Sequence, residues 1–95
     1  MILWVDGRHG PAENMRRDAL LLAAADRGAP PVLRLFAFAP HGITLGRSQR
    51  PEVELDLDRC EADGIPWAIR PTGGRAIFHA EEWTYSLAAA ISDPG

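Results

Sequence analysis

The sequence predicts an α+β domain with a mixed, largely antiparallel sheet flanked by helices. Six apolar runs of strand length outnumber two helical stretches, too few crossover helices for an all-parallel sheet. Gly- and Pro-rich junctions separate most of the runs, the punctuation of short connections. With 95 residues, 46% hydrophobic and 24% charged, the chain is a globular sequence long enough for one core.

The first run, Ile-Leu-Trp-Val-Asp at residues 2–6, reads as a strand ended by Gly7. A helix follows: Gly10 is placed to cap it, Pro11 takes its first position, Glu13 lies in the first turn and Gly28 stops it. Met15, Ala19, Leu22 and Ala23 recur at helical spacing and share its apolar face. After the Pro30-Pro31 break, residues 32–38 form a strand. Leu33, Leu35 and Ala37 point to one side, and Val32, Arg34, Phe36 and Phe38 to the other. Residues 43–46 form a strand expected to pair antiparallel with it across Ala-Pro-His-Gly.

The polar stretch 47–52 reads as a connection, after which Asp56 caps a short helix closed by Gly64. Residues 65–70 and 75–79 are two strands joined across Pro-Thr-Gly-Gly, and 83–91 is the last strand. No segment repeats. Residues 92–95, Ser-Asp-Pro-Gly, are turn chemistry directly after a hydrophobic strand, so residues 1–95 are expected to be part of a single domain, incomplete at the C-terminus.

A net charge of −3 and a pI near 5.5 exclude the basic surface of a nucleic-acid binder. No run approaches the roughly 18 apolar residues of a membrane span. A lone cysteine, Cys60, points to a reducing, cytoplasmic compartment and reads as a small buried hydrophobe. Asp56, Asp58, Glu61 and Asp63 read as a solvated helix face, and His9, His41 and His79 lack metal-ligand spacing, so no metal is expected. All ten basic residues are arginine, which excludes any step in this chain that needs an ε-amino group.

The strongest chemical signal is the stretch Arg-Pro-Thr-Gly-Gly-Arg-Ala-Ile-Phe-His at residues 70–79. Gly73 and Gly74 suit a hairpin turn, since glycine takes positive φ without steric cost. They equally suit a loop whose bare amides meet a ligand. Arg70 and Arg75 beside that backbone favour an anionic or carbonyl-bearing ligand, and Thr72 adds a hydroxyl. Strand alternation places Arg75 and His79 on one side.

Three segments in order carry a family resemblance. "IRPTGGRAIFHAEEWTYSL" at residues 69–87 resembles the central motif of the lipoate-protein ligase and octanoyltransferase family. "AENMRRDALLL" at 12–22 is similar to that family's N-terminal helix, and "PPVLRLFAFAPHGITLGRSQ" at 30–49 to its hairpin. The resemblance implies a fold related to biotin ligases and class II aminoacyl-tRNA synthetases. It implies attachment of an octanoyl or lipoyl group to a lysine of a lipoyl domain or glycine-cleavage H protein. The donor would be acyl carrier protein, or lipoate with ATP and Mg if the enzyme is a ligase. Arg70, Thr72, Gly73, Gly74, Arg75 and His79 match the loop that covers the acyl group. Ile69, Ala76, Ile77 and Phe78 would help line its slot.

The form "PTGGR" looks more like the octanoyltransferase branch. Ile69 and Ala80 depart from the pattern, standing where the family has arginine and aspartate. The lysine that the family uses to polarise the acyl carbonyl, and the acyl-carrying cysteine of its thiol-dependent members, are expected further along, so no catalytic residue is assigned here. The alternative is a non-catalytic acyl-binding or scaffold module that works with a separate C-terminal companion subunit.

Overall fold

Two of the connections between strands carry helices, and each returns to a strand parallel to the one it left. The computed structural model describes residues 1–89. Strand β1 (Ile2–His9) leads through helix α1 (Pro11–Asp26) to strand β2 (Val32–Phe38), and β1 and β2 pair in parallel. Strand β3 (Gly42–Leu45) leads through helices α2 (Pro51–Glu54) and α3 (Leu57–Ala62) to strand β4 (Trp67–Ile69), again in parallel. Each unit then gains one antiparallel strand. β5 (Ile77–His79) joins β3, and β6 (Trp83–Ala88) joins β2. The result is two three-stranded sheets in the orders β1-β2-β6 and β4-β3-β5.

The α+β class, the mixed sheet and the flanking helices are as expected, but the antiparallel pairings are no more numerous than the parallel ones, because a helical crossover imposes parallel pairing. Two expected neighbours do not pair. β2 and β3 lie in different sheets, since β2 is already flanked by β1 and β6. β4 and β5 are separated by β3, so Pro-Thr-Gly-Gly is no hairpin turn and instead carries the chain across the end of β3. Gly7 does not end β1. It takes φ 78° at a register shift between Val5 and Gly7, a bulge that lets the strand continue to His9. The stretch read as a connection holds the single turn α2, opened by Pro51. The turn at 92–95 and the end of the last strand lie outside the described residues.

α1 begins as expected, with Gly10 at its N-cap and Pro11 following, but its buried face is rotated from the predicted one. Pro11, Asn14, Met15 and Ala25 are buried, while Ala19 and Ala23 are exposed. The cause is Arg34, fully buried on β2. Its guanidinium donates to the Asn14 side-chain oxygen at 2.6 Å, the Asn14 carbonyl at 3.1 Å, Asp18 at 2.8 Å and Asp6 at 2.8 Å. It also stacks 3.9 Å over the Phe36 ring. A polar set thus turns α1 inward where a hydrophobic pattern shows nothing. Around it, Met15, Phe36, Phe38 and Ala68 form the core that joins α1, β2 and β4. In α3, the Asp56 side chain accepts from the Arg59 amide as predicted, and Cys60 is buried as a free thiol.

Candidate functional site

The second sheet presents its central strand end to the glycine loop, and the close approach is set by a glycine that the sequence reading did not single out. A Cβ on Gly46 would lie 2.0 Å from the Gly74 carbonyl oxygen, so only a bare backbone lets the loop settle there. The Arg47 amide donates to the Thr72 carbonyl at 2.8 Å and the Arg70 amide to the Leu45 carbonyl at 2.7 Å. Gly74 holds φ 108°, a region that side chains resist. Gly73 is exposed with no positive φ, and a Cβ on it would meet nothing within 4 Å. Gly74 is therefore needed for the loop's shape, whereas Gly73 leaves open space above it.

Arg70 organises the loop from beneath. Its Nη1 donates to the Thr44 carbonyl at 3.0 Å and the Thr44 hydroxyl at 2.8 Å. Its Nη2 donates to the Arg75 carbonyl at 2.6 Å and, at 3.4 Å, to the Gly73 carbonyl. Every one of these acceptors is neutral. Burial pushes the pKa of this guanidinium below its usual value, and it remains charged at neutral pH.

Thr44 is fully buried and joins Arg70 to His79, whose Nε2 lies 2.8 Å from the Thr44 hydroxyl. The hydroxyl accepts from Arg70, which leaves its own proton to donate to an unprotonated Nε2. Partial burial first, and the nearby Arg70 charge second, hold the His79 pKa below its ordinary value, with Glu82 opposing. The imidazole is stacked on Phe38 at a centroid distance of 4.0 Å, which fixes its plane.

The site residues named from the sequence are thus divided by the structure. Arg70 and His79 meet through Thr44, Gly74 lies against the Arg70 guanidinium, and Thr72 borders a cavity of about 110 Å³ between α1, β6 and the loop that Asp18, Leu22 and Ser86 also line. Arg75 precedes β5 instead of lying in it, so strand alternation does not align it with His79. It is exposed, and its guanidinium has no partner among the described residues. The apolar quartet is split as well. Ile77 pairs with Thr44 and so lies on the His79 side, whereas Phe78 and Ile69, opposite Ile43 and Leu45, lie on the other. A second, shallower groove of about 380 Å³ runs between α1 and β4 up to Arg70, lined by Ala12, Met15, Ala19 and Ala68. Among the described residues no three His, Cys, Asp or Glu side chains are grouped to hold a metal. None of their helices is long and apolar enough to cross a membrane. Thr44 and Gly46 were missed because a threonine and a glycine within Ile-Thr-Leu-Gly read as ordinary strand and turn residues.

Fold and site together define a mixed-sheet domain that presents a donor-lined loop at the end of a central strand, the arrangement of a ligand-binding domain. The model of the lipoyl protein ligase A/B catalytic domain matches residues 10–93, and the chain belongs to that family. Octanoyltransferase LipM of Exiguobacterium sp. is 46% identical over 85 residues, covering 88% of this chain and 31% of that protein. Lipoate-protein ligase A bound with ATP superposes with a TM-score of 0.74 at 28% identity, over 97% of this chain and 38% of that one. A chain of the bi-partite lipoate protein ligase and E2 lipoyl domain system of Thermoplasma acidophilum gives a TM-score of 0.60 at 28% identity, over 82% of this chain and 32% of that one. The chain therefore spans about a third of the length of the proteins it matches.

Proposed function

We propose that residues 1–95 are the N-terminal part of a single catalytic domain and bind the acyl group in an enzyme that attaches octanoyl or lipoyl groups to a lysine of lipoyl-domain proteins. The observation that carries the reading is Arg70: a partly buried guanidinium held by neutral acceptors only, under a glycine loop, keeps a positive potential where an acyl carbonyl or carboxylate would lie. The Gly73 and Gly74 amides, the Thr72 hydroxyl and the Arg75 guanidinium, which has no partner among the described residues, are the remaining donors. His79, fixed by Thr44 and Phe38, closes the far side. The apolar walls on either side of Arg70 suit the alkyl chain.

The same donor set fits a thioester carbonyl delivered by acyl carrier protein or the phosphate oxygens of ATP. Similarity to octanoyltransferases favours the first, and the ATP-bound ligase neighbour keeps the second in view. The acceptor is a lipoyl domain or glycine-cleavage H protein, in line with the E2 lipoyl domain named beside the bi-partite neighbour. That neighbour also supports the second reading, an acyl-binding module completed by a separate companion subunit.

The test is to incubate the complete gene product with octanoyl carrier protein, or with lipoate and ATP, plus an acceptor domain, and weigh the acceptor. An acyl mass gain is expected, lost in Gly74→Val while circular dichroism stays unchanged. No gain under either condition contradicts the proposal.

A further inference from the structure

A single hydroxyl stands between two side chains that conflict when both are charged. Thr44 is fully buried, and its Oγ lies 2.8 Å from Arg70 Nη1 and 2.8 Å from His79 Nε2. A guanidinium only donates, so the hydroxyl accepts from Arg70 and donates its one proton to Nε2. In this arrangement the imidazole is neutral, with its own proton on Nδ1. A proton on Nε2 would set two donors against the Thr44 oxygen, leave the buried hydroxyl proton without its acceptor and bring a second positive charge beside Arg70. The groups packed around the ring give little relief. Phe38 of β2 is stacked on it and uncharged, Glu82 ahead of β6 is the carboxylate that favours the charged ring, and His41 lies against Phe78 instead.

The conflict ends when Arg70 is neutralised or lets go of Thr44, and a charged ligand does both. The Arg70 Nε makes no hydrogen bond among the described residues, and the side chain borders both cavities. Asp18, which lines the smaller one, is already engaged by Arg34 at 2.8 Å and Ser86 at 2.9 Å. An anionic head group on Arg70 cancels its charge and competes with Thr44 for its donors. An uncharged carbonyl accepts a hydrogen bond and leaves the charge in place. We propose that Thr44 makes Arg70 and His79 one proton-coupled unit, which takes a proton onto His79 when an anionic head group binds Arg70 and none when a neutral acyl carbonyl does. Thr44 is then a positioning residue through which the site sorts acyl ligands by charge. This coupling rests on the acyl site proposed above, whose regulation it supplies. Linkage sets its sign: proton uptake on binding makes anion affinity rise as pH falls, by up to about tenfold per pH unit while His79 titrates.

Octanoate and octanamide, equal in chain length and different in charge, are titrated into the chain between pH 6 and pH 8. Calorimetry in bis-Tris and in imidazole buffers counts the protons exchanged, and NMR follows the His79 ring apart from those of His9 and His41. An ordinary carboxylate stays ionised throughout this range. Octanoate affinity is expected to fall by about threefold or more from pH 6 to pH 7.5, with proton uptake and a His79 shift toward the protonated form. Octanamide affinity should stay flat. The octanoate slope should flatten in Thr44→Val, disappear in His79→Phe and return in Thr44→Ser, a rescue that packing alone does not produce. Circular dichroism checks that each variant is folded. Octanoate bound without proton uptake, an equal slope for octanamide, or a slope unchanged in Thr44→Val or His79→Phe overturns the coupling and leaves the acyl site standing. No binding of either probe overturns both.

Discussion

Arg34, fully buried on β2, and Arg70, partly buried just past the end of β4, are the arginines whose guanidiniums organise the first and second sheets, yet their partners differ in kind. Arg34 meets two carboxylates, Asp6 and Asp18, and Asp18 is further held by the Ser86 hydroxyl at 2.9 Å. Arg70 meets three carbonyls and one hydroxyl. Neutralised, an arginine pins a helix to a sheet. Left without a counter-charge, it adds to the burial that already depresses a neighbouring histidine. The difference makes Arg34 a structural arginine and Arg70 the one on which the proposed acyl site rests.

The largest effect should come from breaking the neutral side of the comparison. Arg34→Met leaves Asp18 without its cation and buried Asp6 with Arg17 alone, and is expected to cost about 3–5 kcal/mol of folding free energy in urea denaturation. Gly46→Ala drives a methyl group into the Gly74 carbonyl, and overpacking of this kind costs about 1–3 kcal/mol. It should also expose the Arg47 amide to hydrogen exchange. Thr44→Val keeps the volume but removes the hydroxyl shared by Arg70 and His79, for a loss of about 1 kcal/mol. In that variant the His79 pKa should rise by NMR titration, and Thr44→Ser should restore it.

A pH scan gives a finer test. The His79 pKa is lower folded than unfolded, so its contribution is fully present above the ordinary value of 6.5 and is lost as pH falls through the folded value. The fall in stability between pH 7 and pH 5 should flatten in His79→Phe, which keeps the stack on Phe38. The smallest effect belongs to Glu13, whose carboxyl is held down to about 2 by hydrogen bonds from Arg16 and Arg17. Because these ion pairs lie at the surface and are screened by solvent, Glu13→Gln should leave the melting temperature nearly unchanged at neutral pH.

Much of this comparison was legible in the sequence, and the part that was not has a physical cause. Helix α1 declared itself through Pro11 and Gly28, and α3 through Asp56, because caps are local chemistry. Strand neighbours were not declared, because pairing depends on where a helix returns the chain: β2 goes beside β1, and β3 starts a second sheet. The loop at 70–79 stood out by its glycines and arginines. Its dependence on Thr44 and Gly46 did not, since both act through contacts more than 25 positions away in the chain. The inward face of α1 was misjudged because Asn14 and Asp18 look like surface residues until Arg34 is placed between them.

The most direct test of the central claim is a titration of the ¹⁵N-labelled chain with octanoate, read at backbone amides and arginine Nε groups. Saturable shifts confined to the Arg70 Nε group and to the backbone amides of Thr72, Gly73, Gly74 and Arg75, with the Arg34 Nε unmoved, are the predicted result. Absent shifts in the loop, or shifts spread instead over Leu3, Val5, Tyr85 and Leu87, would contradict it.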